Sequence, residues 1–247
     1  MGAPSRWLRA AAAVLAVAAA TARAGDIEAD RPGFGESASV VERGRVQLET
    51  GLAWTRFGGK VSVLDLPEAV LRVGIGASLE VRVQAPDWLR AEGTGGTQSG
   101  WSDTGIGFRW QAASGVHDLS LRGVLYLPSG SVEWSDGKVD PEGAASWAHE
   151  LGAGWSASAT VSARRFTAVA TTVLAPSVSV EHALGSRGST FLEYGTNVAS
   201  GRPPVHQLDH GYTWLPNRDT QLDVSIGFGL SSAAPDFFVA VGFSRRF

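Results

Sequence analysis

Ionisable side chains recur at every second position in several apolar segments of this chain. Near the C-terminus, for example, Asp223 lies between Leu222 and Val224. On a β-strand this alternation puts charges on one face and apolar side chains on the other. The charged residues at alternate positions that place them on the polar, inward-facing side of a strand, which we call inward parity, are Glu49, Arg72, Glu80, Arg82, Asp103, Arg109, Asp118, Arg122, Glu193, Asp209 and Asp223. Such a set either selects what passes through a polar pore or pairs into a network that fills the interior and fixes the strand register.

The same residue types could instead serve catalysis or metal binding. His182, His206 and His210 share the parity of their apolar neighbours, whereas Ser177 and Ser179 have the other parity, so no strand-to-strand lipase triad emerges. On a strand, the spacing from His206 to His210 separates the two by more than ~10 Å, too far for one metal ion. The sequence predicts no catalytic residue, no metal site and no cofactor.

The charges need strands to position them, and twelve segments have a period of two. They span residues 46–56, 66–75, 79–85, 103–111, 118–127, 144–151, 155–165, 171–184, 190–198, 205–215, 221–230 and 237–247. Most have about the 9–11 residues of a tilted membrane strand. The fold class predicted is all-β, a transmembrane antiparallel β-barrel of about twelve strands. The alternative is a soluble sandwich.

Turn chemistry supports an even number of strands. Short glycine-, serine- or asparagine-containing turns follow predicted strands two, four, six, eight and ten, whereas residues 86–100 and 128–143 form two predicted long loops. Outer-membrane barrels have short periplasmic turns and longer external loops. Trp54, Trp88, Trp110, Tyr126 and Trp214 fall at predicted strand ends, where interfacial girdles lie.

Both ends of the chain indicate export. Arg6 and Arg9 precede an apolar run that ends in a small-residue cleavage pattern, so residues 1–24 are predicted to be a cleaved Sec signal peptide. Without them the net charge falls from -3 to about -6, since they contain three arginines and no acid. The chain has no cysteine and no basic patch, which excludes a disulfide framework and makes nucleic acid an unsuitable partner.

Several motifs resemble one known family. They are Asp30-Arg31-Pro32-Gly33-Phe34 with Glu36-Ser37, Gln47-Leu48-Glu49, His206-Gln207-Leu208-Asp209, Gln221-Leu222-Asp223, and Gly242-Phe243-Ser244 with the terminal Phe247. In these the chain is similar to the outer-membrane transporter family linked to the meta-cleavage pathway of phenol degradation. The resemblance implies a Gram-negative outer-membrane barrel, with Phe243 and Phe247 as its membrane-assembly signal. The partners expected are outer-membrane lipid and lipopolysaccharide, the barrel-assembly machinery and small-molecule cargo, for a monomer.

Residues 25–43 precede the barrel of residues 44–247 and carry charges of both signs. Asp30, Arg31 and Glu36 could pair with inward charges, so this periplasmic segment is either a plug in the lumen or a free tail. The predicted function is passive passage of small molecules through a narrow charged lumen, with arginines attracting anionic groups and carboxylates ordering or rejecting them. The alternatives are a closed structural barrel and a lipid-acting enzyme.

Overall fold

A computed structural model describes residues 25–58 and 60–247. The predicted signal peptide, residues 1–24, lies outside the described residues. The strands are β1 Val46–Phe57, β2 Val61–Leu66, β3 Val70–Gly74, β4 Leu79–Gln84, β5 Trp88–Gly93, β6 Gly96–Trp101, β7 Thr104–Ala113, β8 His117–Leu127, β9 Asp140–Gly152, β10 Trp155–Phe166, β11 Thr171–Ala183, β12 Gly188–Ala199, β13 Val205–Asn217, β14 Thr220–Gly229 and β15 Phe237–Arg246. Within the described ranges, no helix has the length and apolar character of a membrane-spanning segment.

The strands form a closed antiparallel barrel. Neighbours pair in the order β15-β14-β13-β12-β11-β10-β9-β8-β7-β4-β3-β1, and β15 pairs with β1 over ten residue pairs to close the ring. The predicted barrel of twelve strands is therefore confirmed, including its weakly alternating middle, where β9 and β10 pair along almost their full length. Closure gives each of the twelve strands that form the ring two neighbours, which a sheet in hydrocarbon requires.

The ring has twelve strand positions, which we call staves. Three neighbouring staves each consist of two shorter strands separated by a break, and the three breaks lie at about the same height of the barrel. β2 continues β3, β5 continues β4 and β6 continues β7, so β2, β5 and β6 complete the wall towards one rim. Two of the breaks contain Pro67 and Pro86, which lack the N–H that a sheet ladder needs. The predicted long loop at 86–100 is wrong, because these residues form the β5–β6 hairpin. Its polar β6 has no apolar alternation, so no period of two marks it as a strand.

Burial is the inverse of that in a soluble protein. The outer face carries large exposed apolar side chains such as Phe108, 52% exposed, while charged groups such as Arg109, 0% exposed, fill the interior. An apolar surface this extensive is a liability in water and is suited to lipid. Trp110 and Trp214 face outward, but Tyr126 does not: its ring is buried, with Arg164 over it and its hydroxyl donating to Gln84.

The two rims differ in their connections. We call the end with the joins 75–78, 114–116, 153–154, 184–187 and 218–219 the short-turn rim; the C-terminal Phe247 also lies there. The opposite end, which we call the long-loop rim, carries residues 128–139 and the β5–β6 hairpin. The short turns lie where the sequence predicts them.

Candidate functional site: a charged lumen and its N-terminal segment

Four arginines on adjoining staves point into the barrel and form what we call the arginine row: Arg72 on β3, Arg82 on β4, Arg109 on β7 and Arg122 on β8. Arg72 is paired directly with Arg82, and Arg109 with Arg122, in the sheet register. Like charges in direct cross-strand pairs repel, so the row needs carboxylates between its members.

Wall carboxylates supply part of that compensation. Glu80 accepts from Arg72 Nε at 3.0 Å and from Arg82 Nη1 at 3.2 Å. Glu49 accepts from Arg72 Nη1 at 2.7 Å, and Glu142 pairs with Arg122. Among the described residues, the one wall carboxylate within 4 Å of Arg109 is Glu80, at 4.0 Å.

Residues 25–43, which we call the N-terminal segment, supply the rest from inside the barrel. The Asp30 carboxylate lies 2.6 Å from Arg82 Nη2, 2.8 Å from Arg109 Nη1 and 3.6 Å from Arg72 Nη1. Glu36 lies 2.7 Å from Arg122 Nε and also pairs with Arg109. Two carboxylates of the segment thus bridge all four arginines.

The electrostatics of these two carboxylates follow from their surroundings. Burial alone would raise the pKa of Asp30, but the nearby Arg109, Arg72 and Arg82 outweigh it and hold the pKa well below its ordinary 3.8. For Glu36, burial and the charge of Asp30 act to raise the pKa, and Arg122 and Arg109 lower it below its ordinary 4.5. Both groups are ionised at neutral pH.

The tip of the segment, residues 33–35, contacts the barrel wall opposite the arginine row. Glu193 on β12 accepts the backbone N–H groups of Phe34 at 2.6 Å and Gly35 at 2.7 Å. The Phe34 ring packs edge-to-face on Phe238, with centroids 5.6 Å apart. A Cβ atom on Gly33 or Gly35 would overlap the Glu193 carboxylate, so glycine is what allows this approach.

Backbone groups of the segment also bind wall side chains. Asp30 N–H donates to Glu49 at 2.9 Å, Val41 N–H to Glu80 at 2.8 Å and Glu36 N–H to Thr160 at 3.1 Å. A chain with no strand partner inside a barrel must satisfy its donors in this way. The segment is therefore docked by directed contacts as well as by charge.

Arg31 binds on a third side of the lumen. It donates to Glu68 at 2.5 Å, and its Nε lies 3.5 Å from Asp223 on β14. Gln221 donates to the carbonyl oxygen of Arg31 at 3.2 Å. The N-terminal segment thus contacts the barrel wall on three sides of the lumen.

Both ends of the segment return to the short-turn rim. Arg246 donates to the carbonyl oxygen of Gly25 at 2.7 Å, and Ile27 N–H donates to Arg218 at 2.7 Å. At the other end, Gly44 N–H donates to Gly74 at 2.8 Å. The segment is a loop inserted into the lumen from this rim.

A cavity of about 370 Å³ remains between the segment and the wall of β8–β13. Serine and threonine hydroxyls and acidic side chains line its wall. These residues are Asp118, Glu150, Ser156, Ser158, Ser179, Glu181, Ser189, Glu193 and Thr213. Many of them lie beside turns of the short-turn rim, so the cavity belongs to that end of the lumen.

Comparison with known proteins identifies the family of this chain. Residues 29–247 match the family model described as "Putative MetA-pathway of phenol degradation". The chain belongs to this family. The recognition made from the motifs is confirmed, and the match covers both the segment and the barrel.

Several solved structures have a fold similar to that of this chain, although their sequence identity to it is low. An outer membrane channel from Pseudomonas putida F1 has a TM-score of 0.66 at 14% identity, covering 88% of this chain and 99% of that one. The NanC porin has a TM-score of 0.56 at 5% identity, covering 81% and 98%. The KdgM porin in complex with disordered oligogalacturonate has 0.53 at 7% identity, covering 82% and 99%. A search of curated protein sequences gave no match.

The remaining predicted residues lie in three different settings. Asp118 lines the cavity, and Asp103 lies between β6 and β7, where it accepts the Gly130 N–H at 2.9 Å and holds a loop of the long-loop rim. Asp209 is 1% exposed and lies directly across from Glu193 in the sheet. Phe243 and Phe247 are exposed on the outside at 39% and 64%.

Residues that the sequence predictions missed are Glu142, Thr160 and Glu68, each bound to the segment or the arginine row. Glu142 precedes the predicted start of its strand at 144, and Glu68 lies in a break between strands. Thr160 has inward parity, so attention to uncharged polar side chains would have found it.

The histidines have other contacts. Tyr194 lies 2.6 Å from the His206 ring, His210 contacts the Phe191 carbonyl, and His182 stacks on Trp155. In the described part of the chain, no histidine ring is hydrogen-bonded to a serine hydroxyl, and no group of three or more acidic or histidine side chains is arranged to hold a metal ion.

Proposed function

We propose that this protein is an outer-membrane channel for small molecules, with the N-terminal segment as its gate. The observation that carries the proposal is the bridging of the arginine row by Asp30 and Glu36. These contacts hold a loop across a polar lumen, and the loop is attached to the barrel wall by side-chain contacts with no strand ladder of its own.

The likeness to channel and porin structures supports passage as the role of the fold. The family description links its members to phenol degradation, which favours small aromatic compounds as cargo. Passage is passive in this proposal, because the lumen offers polar groups and a displaceable loop with no site for an energy source among the described residues.

The location and partners belong to the same proposal. The short-turn rim faces the periplasm, residues 1–24 direct export through the Sec pathway, and the monomer contacts outer-membrane lipid and lipopolysaccharide. Support comes from the apolar outer face, and the barrel-assembly machinery would recognise the C-terminal aromatic end.

Planar-bilayer recordings of refolded protein test the gate. The mature chain is compared with a variant lacking residues 26–43, and we expect the deletion to raise the single-channel conductance and the open fraction. A matched control lengthens the exposed loop 128–139 by two serines, which leaves the lumen intact. Two silent proteins would refute the channel and favour a closed structural barrel. Equal conductance of the two would refute the gate.

A further inference from the structure

The positive and negative charges of the lumen occupy different sides. The arginine row lies on β3, β4, β7 and β8, and all its members are ion-paired. Five carboxylates share these four cations: Asp30, Glu36, Glu49, Glu80 and Glu142. While the segment is docked, carboxylates therefore neutralise all four arginines on this side of the lumen.

The other side carries acids without such compensation. In the described part of the chain, no ion pair within 4 Å joins Asp118, Glu150, Glu181 or Glu193 to a basic group. Arg31 is the one basic residue lining the cavity there, and it is bound to Glu68 and Asp223. Hydroxyl groups occupy much of the remaining wall of the cavity.

Asp209 is the second and independent observation. Its side chain is 1% exposed, and no ion pair within 4 Å joins its carboxylate to a basic side chain in the described structure. The hydroxyl of Ser225 on the neighbouring strand is buried beside it and supplies no charge. Directly across from Asp209 is Glu193, which lines the cavity where the segment tip closes it.

An uncompensated buried carboxylate is costly, and a cation beside it removes much of that cost. A narrow passage lined by one sign of charge also concentrates the opposite sign. We propose that the path along β9–β13 selects cationic permeants, with Asp209 and Glu193 as the residues that determine this selectivity. The inference rests on the proposed channel function and specifies the charge of what passes beside the segment.

Reversal potentials across a tenfold potassium chloride gradient test the idea on the full mature chain. We expect a preference for potassium over chloride that Asp209→Asn lowers about fivefold, the enrichment that one unit charge produces across ~4 Å of water. Glu133→Gln makes the same charge change on an exposed loop and should leave the reversal potential unaltered. Asp209→Asn keeps the size of the side chain and breaks no ion pair of the described residues, so the variant should fold.

The variant lacking residues 26–43 provides the second measurement. Its exposed arginines should weaken the potassium preference, and Asp209→Asn should lower that preference further. Two results would refute the proposed cation selectivity without refuting the channel. One is a preference for chloride in the full mature chain. The other is a reversal potential that Asp209→Asn leaves unchanged both in the full mature chain and in the variant lacking residues 26–43. Silence of every variant would instead remove the channel itself.

Discussion

Neutralising Asp30 should release the N-terminal segment from the arginine row. In Asp30→Asn the amide keeps the size of the carboxylate and loses its charge, so three arginines at 2.6 to 3.6 Å lose a shared counter-ion. Breaking a buried ion pair by removing one partner costs about 3–5 kcal/mol. The Asp30 side chain is 11% exposed beside a cavity, which places the loss near about 3 kcal/mol. This is a shift of about a hundredfold in the docking equilibrium.

A single introduced cysteine can measure this shift, because the chain has none of its own. Ala38 is 4% exposed in the docked segment, so a thiol in Ala38→Cys reacts with a soluble maleimide only when the segment leaves the lumen. We expect Asp30→Asn to raise the labelling rate about a hundredfold and the open fraction of the channel with it.

Glu28→Gln is the matched control for this measurement. Glu28 lies on the same segment, and its carboxylate accepts one exposed hydrogen bond, from Ser37 at 3.4 Å. Its labelling rate should stay within about twofold of the parent. Equal rates in Asp30→Asn and Glu28→Gln would refute the role of the arginine row in holding the segment.

Three further predictions follow from the same contacts. Since the docked Asp30 and Glu36 have lowered pKa values, docking is fully favoured above their ordinary 3.8 and 4.5 and is lost as pH falls through the lower docked values. The labelling rate divided by that of a free thiol at the same pH, which removes the change in thiolate fraction, should be flat from pH 8 to 5, and a rise of this ratio near pH 6 would contradict the prediction. A Cβ in Gly74→Ala would overlap carbonyl oxygens of the segment and should cost about 2 kcal/mol of docking, read as faster labelling, whereas Gly95→Ala, in open space, should cost nothing. Phe247→Ala removes a side chain that is 64% exposed, so it should reduce barrel assembly in cells and leave the thermal stability of refolded protein unchanged; a loss of both would assign Phe247 to stability.

The barrel could be predicted because lipid imposes a period of two on the sequence. The predicted strand at 221–230 is observed as Thr220–Gly229, since Leu222, Val224 and Ile226 must face the membrane. β6 was missed because its sequence has no apolar alternation, although it pairs with β5 along its whole length. Inward parity could be assigned residue by residue, and Arg72 and Arg109 are fully buried.

The partners of the inward charges could not be predicted in the same way. Residues 25–43 have no periodicity, and their path depends on contacts between residues distant in sequence, such as Glu193 with Phe34. Asp103 shows that alternation alone does not always identify a lumen-facing side chain. It lies in a break between β6 and β7, where its carboxylate binds the loop residue Gly130. Sequence alternation reports which face a side chain takes and carries no information on what occupies the space in front of it.

The insertion of the N-terminal segment from a single rim has a topological consequence. Gly25 and Gly44 both lie at the short-turn rim, so neither end of the segment passes through the barrel. The segment can enter after β1 and β15 have joined and can withdraw without parting them. In the proposed gate, opening therefore requires no threading of the chain through the barrel and no separation of strands.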